Sequence, residues 1–203
     1  MRTEARPVPR AARARPPSSR QRGVETVEFA LLLGLFLAMV FLVIEIARVM
    51  YVWNAAQDIT RQAARAAART DFSNAAQMLA VRQDALPPGA ASLGGFSANQ
   101  VRIDYLSVNA AGAMAPVATL PACPTRNLIN CTNAPHGANC VRLVRARLCQ
   151  NDGAAACTPA PYQPLLPPLL GFGSGAMALS IPSSDTVVTA ETLGYLPGMA
   201  SCP

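Results

Sequence analysis

An uninterrupted apolar run near the N-terminus limits what this chain can fold into. From Phe29 to Ile44, sixteen consecutive residues carry no charge and almost all of them are apolar. As a helix they would be roughly 24 Å long, a little short of the ~30 Å hydrocarbon core of a bilayer, and apolar residues continue beyond them. A helix that is apolar on every side must be buried in lipid or in a large protein core. We therefore predict one transmembrane helix over residues 24–45.

Two other interpretations of this segment stay open. A soluble protein could bury such a helix, although a larger core than this chain can build would be needed to cover it. A cleaved secretory signal peptide also combines basic residues with an apolar run. Against the signal peptide, the run is long, Glu28 stands at its start, and the following sequence IARVMYVWNAA has no clean small-residue cleavage site.

The positive charge of the chain is confined to its N-terminal arm. All 17 basic residues are arginines, and the formal net charge is +6. Seven arginines and one glutamate lie in residues 1–23, so this arm accounts for the whole excess, while ten arginines balance ten acids in the rest. Under the positive-inside rule the arm stays in the cytoplasm. We predict a disordered cytoplasmic leader over residues 1–23 at the N-terminus of a single-pass membrane protein.

All six cysteines lie after the apolar run. An even number on one side of a membrane favours an oxidising compartment, so we predict disulfides in a periplasmic or extracellular domain, although the sequence does not choose the pairing. There is no C-x₂-C pair, and a mixed zinc site with His136 is the weaker alternative, so we expect no metal and no cofactor. The disulfide candidates are Cys123, Cys131, Cys140, Cys149, Cys157 and Cys202.

Helical character continues beyond the membrane segment. Arg61, Arg65 and Arg69 recur at every fourth residue and form one polar stripe among alanines, which predicts a helix from about residue 24 to 70. Glu45 and Arg48, three residues apart on this helix, can neutralise each other at the outer membrane interface.

The rest of the chain predicts a small, loop-rich domain. A second helix is expected at 74–85, capped by Ser73 or Asn74, and the sequence LPPGAASLGG ends it. Alternation of apolar and polar residues predicts strands at 100–109, 140–149 and 184–195. The predicted fold class is α+β: a transmembrane helix with its helical extension (24–70), then a disulfide-stapled extracytoplasmic domain (71–203).

The junction between the basic arm and the apolar run carries the most specific motif, GVETVEF. The arm ends at Gly23, and Glu28 and Phe29 follow. A carboxylate at the start of a membrane segment is costly, which makes it a candidate functional group. Cleavage after Gly23 would give Val24 an α-ammonium group, which the Glu28 carboxylate of a neighbouring subunit could pair with in the membrane.

This junction resembles that of type IV prepilins, and the longer segment from Arg22 to Ala68 resembles the TadE-like (TadE/TadG) family of Flp pilus assembly proteins. Three elements carry the second resemblance: VEFAL at 27–31, Ile44-Glu45 with Arg48, and Asn54 with the alanines and arginines at 64–69. The sequence departs from the family pattern at Gly34, where proline is frequent, and at Ile46-Ala47, where Phe-Gly is usual.

The resemblance implies a minor pilin, a pseudopilin or a membrane-anchored assembly protein of a Flp (tight-adherence) pilus secretion system. It implies that a prepilin peptidase cuts between Gly23 and Val24 and that Glu28 and Phe29 serve subunit assembly. The implied partners are membrane lipid, pilus subunits and secretion-system proteins.

Other classes of function have less support. An enzyme would have to use the single histidine, and no P-loop, H-E-x-x-H or C-x-x-C motif is present, so we expect neither catalysis nor a small-molecule substrate. The arginine arm has no aromatic residues to stack on bases, so we expect no nucleic-acid partner. The alternative function is a generic membrane-anchored extracytoplasmic binding module unrelated to pili.

Overall fold

The computed structural model describes residues 20–150, 156–162, 164, 181, 184–198 and 202. The chain divides into two compact units, Met1–Val43 and Ile44–Pro203. Helix α1 runs from Arg20 to Ala67 and contributes residues to both. This confirms the predicted long N-terminal helix.

In the first unit, every residue from 23 to 43 is exposed. The segment belongs to the one described helix that is long and apolar enough to cross a membrane, with a mean hydropathy of 2.8 over its most apolar window. The exposed segment 23–43, which includes Glu25 and Glu28 at its start, is about 30 Å long as a helix, close to the thickness of the hydrocarbon core. Length and composition therefore support the predicted membrane span.

The second unit contains a four-stranded antiparallel sheet in the order β2-β1-β3-β4. The strands are β1 (Val101–Val108), β2 (Met114–Pro116), β3 (Leu143–Leu148) and β4 (Asp185–Thr189). The three predicted strands correspond to β1, β3 and β4. Strand β2 was not predicted, because its three residues are all exposed and too few to show an alternating pattern.

Two shorter helices accompany the sheet. Helix α2 (Ala75–Asp84) has the predicted cap, since the Asn74 side chain accepts hydrogen bonds from the backbone N–H groups of Ala76 and Gln77 at 3.1 and 3.2 Å. Helix α3 (Pro124–Asn133) begins with proline at its first position, where no backbone N–H is needed. The sequence did not predict α3, because its two largest apolar residues, Leu128 and Ile129, are exposed.

The core lies where the extension of α1 meets the sheet. One face of α1 is buried at Val52, Ile59 and a series of alanines, and these residues share a cluster with Val101 of β1 and Leu148 of β3. Alanine side chains allow a close approach between helix and sheet. The Thr60 and Thr186 hydroxyls add a 3.0 Å hydrogen bond between α1 and β4. The opposite face of α1 is polar, and the predicted arginine stripe is exposed.

Three disulfides staple this unit, as predicted. Cys123 bonds to Cys202, 79 residues away, while Cys131–Cys140 and Cys149–Cys157 close short loops of nine and eight residues. Because Cys131 and Cys140 bond to each other, neither can serve as a thiolate ligand in a zinc site with His136. The His136 ring instead lies with Nδ1 3.4 Å from the carbonyl oxygen of Val108.

Candidate functional site on the N-terminal helix

The residues predicted to serve processing and assembly lie in the first turns of α1. Gly23, Val24, Glu28 and Phe29 are all helical and all exposed. Val24 and Glu28 are four residues apart and are therefore neighbours on one helix face. A carboxylate and a prospective cleavage point consequently lie side by side on an accessible apolar helix.

Gly23 is not required for packing among the residues that the structure describes. A Cβ atom placed on it would meet no atom within 4 Å, apart from the helix backbone itself. A larger side chain would therefore fit, and helix propensity alone disfavours glycine at this position by about 1 kcal/mol relative to alanine. The described structure therefore gives no packing reason for the glycine.

A second cluster joins α1 to the distal domain at Glu45, Arg48 and Tyr162. Arg48 Nη1 lies 3.8 Å from Glu45 Oε1, and both side chains are only 13% exposed. The Tyr162 hydroxyl donates a 2.6 Å hydrogen bond to the same Glu45 oxygen, and the Arg48 guanidinium lies 5.4 Å from the centre of the Tyr162 ring. Tyr162 thus contacts both members of the predicted pair.

The environment keeps Tyr162 in its neutral, hydrogen-bond-donating form. Burial, together with the hydrogen bond to the Glu45 carboxylate, raises the pKa of Tyr162 to about 12. The hydroxyl is therefore protonated at any physiological pH. Arg48 acts in the opposite direction, because its positive charge favours the phenolate.

Short-range links hold the segment that carries Tyr162. The Cys149–Cys157 disulfide ties it to the end of β3, and Gln150 N–H donates a 2.8 Å hydrogen bond to Thr158 O. Ile181 N–H donates to Ala160 O at 2.9 Å. The role of Tyr162 could not be predicted from the sequence, because the residue lies 117 positions from Glu45 in a proline-rich stretch without periodicity.

Comparison with known proteins adds one match. The family model described as TadE-like protein matches residues 23–65, a segment that begins at Gly23, lies within α1 and contains Glu28, Glu45 and Arg48. No curated protein and no solved structure matches the chain significantly. Tyr162 and the sheet lie outside the matched segment. Residues 23–65 are therefore similar to the TadE-like family, as the sequence predicted.

Proposed function

We propose that this chain is a minor pilin or pseudopilin, or else a membrane-anchored assembly protein, of a Flp (tight-adherence) pilus secretion system. The observation that carries the proposal is the coincidence of the TadE-like match at 23–65 with an apolar helix that is fully exposed over residues 23–43. The match supports involvement in pilus assembly. The proposal gives the chain a structural role and no catalytic one.

The proposed location is the bacterial inner membrane. The N-terminus lies in the cytoplasm, and the distal domain lies on the periplasmic or extracellular side. The arginine excess of residues 1–23 supports this orientation through the positive-inside rule. Three disulfides in the unit beyond the helix support it as well, since disulfides persist in oxidising compartments. Pilus subunits and secretion-system proteins would then contact the chain from the membrane outwards.

In this proposal a prepilin peptidase cuts between Gly23 and Val24. The new Val24 ammonium group would pair with the Glu28 carboxylate of a neighbouring subunit, so that each charge offsets the other in a medium of low dielectric. Phe29, exposed beside Glu28, would contact the neighbouring helix. The open surroundings of Gly23 support recognition by a peptidase, because no contact among the described residues requires glycine.

The N-terminal residue of the mature protein tests processing. Mass spectrometry of the membrane fraction should find Val24 as the first residue. The Gly23→Ala variant should keep its leader, with or without the initiator methionine, and its fold should be unchanged. An intact leader in the wild-type protein would leave an unprocessed anchor that acts as an assembly factor. A start beyond residue 50 would indicate a signal peptide and refute the pilin interpretation.

A pair of glutamates offers a matched test of assembly. Glu28→Ala should impair pilus formation, measured by electron microscopy and by shearing of surface pili, because the paired carboxylate is lost. Glu25→Ala removes the same charge from the same exposed helix start and should have little effect. Equal pilus formation in both variants would favour the generic membrane-anchored binding module instead.

A further inference from the structure

An arginine-rich cluster covers the face of the sheet opposite the core. Arg102 and Asp104 of β1 lie directly across from Arg147 and Arg145 of β3. Their neighbours Val101, Ile103 and Ala146 point into the core cluster, so the arginines occupy the other face. Two arginines placed directly opposite each other destabilise a sheet unless an anion lies between them.

Asp104 supplies that anion, but its two oxygens serve three guanidinium groups. Arg102 Nε donates to Oδ1 at 3.0 Å, while Arg145 Nη2 and Arg147 Nη2 donate to the same Oδ2 at 3.1 and 2.6 Å. Arg145 and Arg147 therefore share one carboxylate oxygen between two positive charges. This is a shortage of acceptors, since each guanidinium group has five N–H donors.

Two further observations mark Arg145 and Arg147 as short of a partner. The Nε atom of each is buried and has no hydrogen-bond partner among the residues that the structure describes. Their side chains nevertheless remain 23% exposed, so part of each is accessible to a ligand. The buried Nε atoms are out of a ligand's reach, so an additional oxyanion would bind at the accessible part of each side chain and add an acceptor to a cluster that has too few.

The surroundings favour a peptide as the source of the oxyanion. A surface pocket of about 180 Å³ opens beside Arg147 and is also lined by Pro159 and Asp185. Asp185 lies directly across from Arg147 on β4, and its negative charge disfavours a dianionic phosphate more than a single carboxylate. Val187, directly across from Arg145, is 40% exposed and offers an apolar contact on β4, the terminal strand of the described sheet.

We propose that Arg145 and Arg147 bind a carboxylate side chain of a protein partner, carried on an extended acidic and apolar segment that lies beside β4. The paired guanidinium forks match the planar geometry of a carboxylate. Val187 contacts an apolar residue of the same segment. The site belongs to the sheet and does not depend on the proposed processing at Gly23.

The test uses the full chain in non-ionic detergent and a fluorescently labelled peptide of alternating glutamate and valine. At low ionic strength, fluorescence anisotropy should show binding of this peptide and not of its glutamine–valine counterpart. Arg145→Gln combined with Arg147→Gln should weaken binding about tenfold or more, because charge-assisted hydrogen bonds are lost. Arg61→Gln with Arg126→Gln makes the same change in net charge at exposed positions outside the cluster and should leave the affinity unchanged.

Three results would overturn the proposal: equal weakening by both double variants, equal binding of the two peptides, or binding of inorganic phosphate in preference to the acidic peptide. If the double glutamine variant does not fold, Arg147→Lys serves in its place. It keeps the charge and removes the guanidinium fork, so it should still weaken binding, and an unchanged affinity would count against the site.

Discussion

The Tyr162 hydroxyl is a buried donor that links two distant parts of the chain. It donates to Glu45, whose side chain is only 13% exposed, so Tyr162→Phe removes a hydrogen bond to a charged group in a poorly solvated place. We expect the free energy of unfolding to fall by about 1–3 kcal/mol. Urea denaturation in detergent, monitored by circular dichroism, measures this. Tyr195→Phe is the control, because the hydroxyl of the half-buried Tyr195 makes no hydrogen bond with the described residues. Equal losses of stability in the two variants would show that the Tyr162–Glu45 hydrogen bond does not stabilise the fold.

A second residue-scale prediction concerns Gly194. Its φ of +81° favours glycine, and a Cβ atom there would lie 2.5 Å from the backbone nitrogen of Asp71. Gly194→Ala should therefore lower the free energy of unfolding by at least ~2 kcal/mol, from backbone strain together with the clash. Gly112 has nearly the same φ, +82°, with open space around it. Gly112→Ala should show the strain alone, and a loss as large as that of Gly194→Ala would mean that the contact with Asp71 is unimportant.

At the scale of elements, Asp104 couples β1 to β3 in a manner that depends on pH. Burial by itself raises the pKa of Asp104, but the hydrogen bonds and charges of Arg147 and Arg102 outweigh it and hold the pKa below its ordinary value of 3.8. A lowered pKa in the folded state stabilises the fold above pH 3.8, and this contribution disappears as the pH falls through the folded-state value.

We therefore expect Asp104→Asn to lower the free energy of unfolding at neutral pH. As the pH falls, the variant should lose less stability than the wild type. Thermal unfolding followed from pH 7 down to about 3 measures both effects. Asp185→Asn makes the same change in charge at an exposed residue of the neighbouring β4 and is the matched control. An acid profile for Asp104→Asn that parallels the wild type would show that the arginine cluster does not depend on this carboxylate.

The sequence predicted those elements whose evidence is local. The apolar run defined α1, the Asn74 cap and the following residues defined α2, and the alternation in VRIDYLSV defined β1. The sequence did not predict β2, because its three exposed residues show no alternation of apolar and polar side chains. It did not predict α3, because disulfides hold this helix in place of an apolar face. Residues of α3 are joined to the rest by Cys131–Cys140, and its cap by Cys123–Cys202.

At the scale of the whole molecule, the Cys123–Cys202 disulfide closes by far the largest loop. Its cysteines are 79 residues apart, against eight for Cys149–Cys157. In the chain-entropy description, the longer loop restricts the unfolded chain more, by about 2 kcal/mol at 25 °C. Replacing both cysteines of the first pair by alanine should therefore destabilise the domain about 2 kcal/mol more than replacing both of the second pair.

Equilibrium urea unfolding of the two double variants under oxidising conditions measures this difference. Native disulfides of small secreted domains typically contribute about 2–5 kcal/mol each, so a reducing agent should destabilise the wild-type domain strongly. Equal stability of the two double variants would mean that the Cys149–Cys157 loop, which holds the Tyr162 segment, contributes native contacts that compensate for its shorter length.

The sequence by itself determined the long apolar helix, the similarity of residues 23–65 to the TadE-like family, the spacing of Glu45 and Arg48, and the number of disulfides. Each of these is contained in a short segment or in a composition, so no knowledge of long-range contacts was needed. Only the tertiary structure decided which cysteines pair, that Tyr162 reaches Glu45, and that Arg145 and Arg147 share one oxygen of Asp104. These contacts join residues up to 117 positions apart, and they follow from strand register and core packing, which local patterns do not specify.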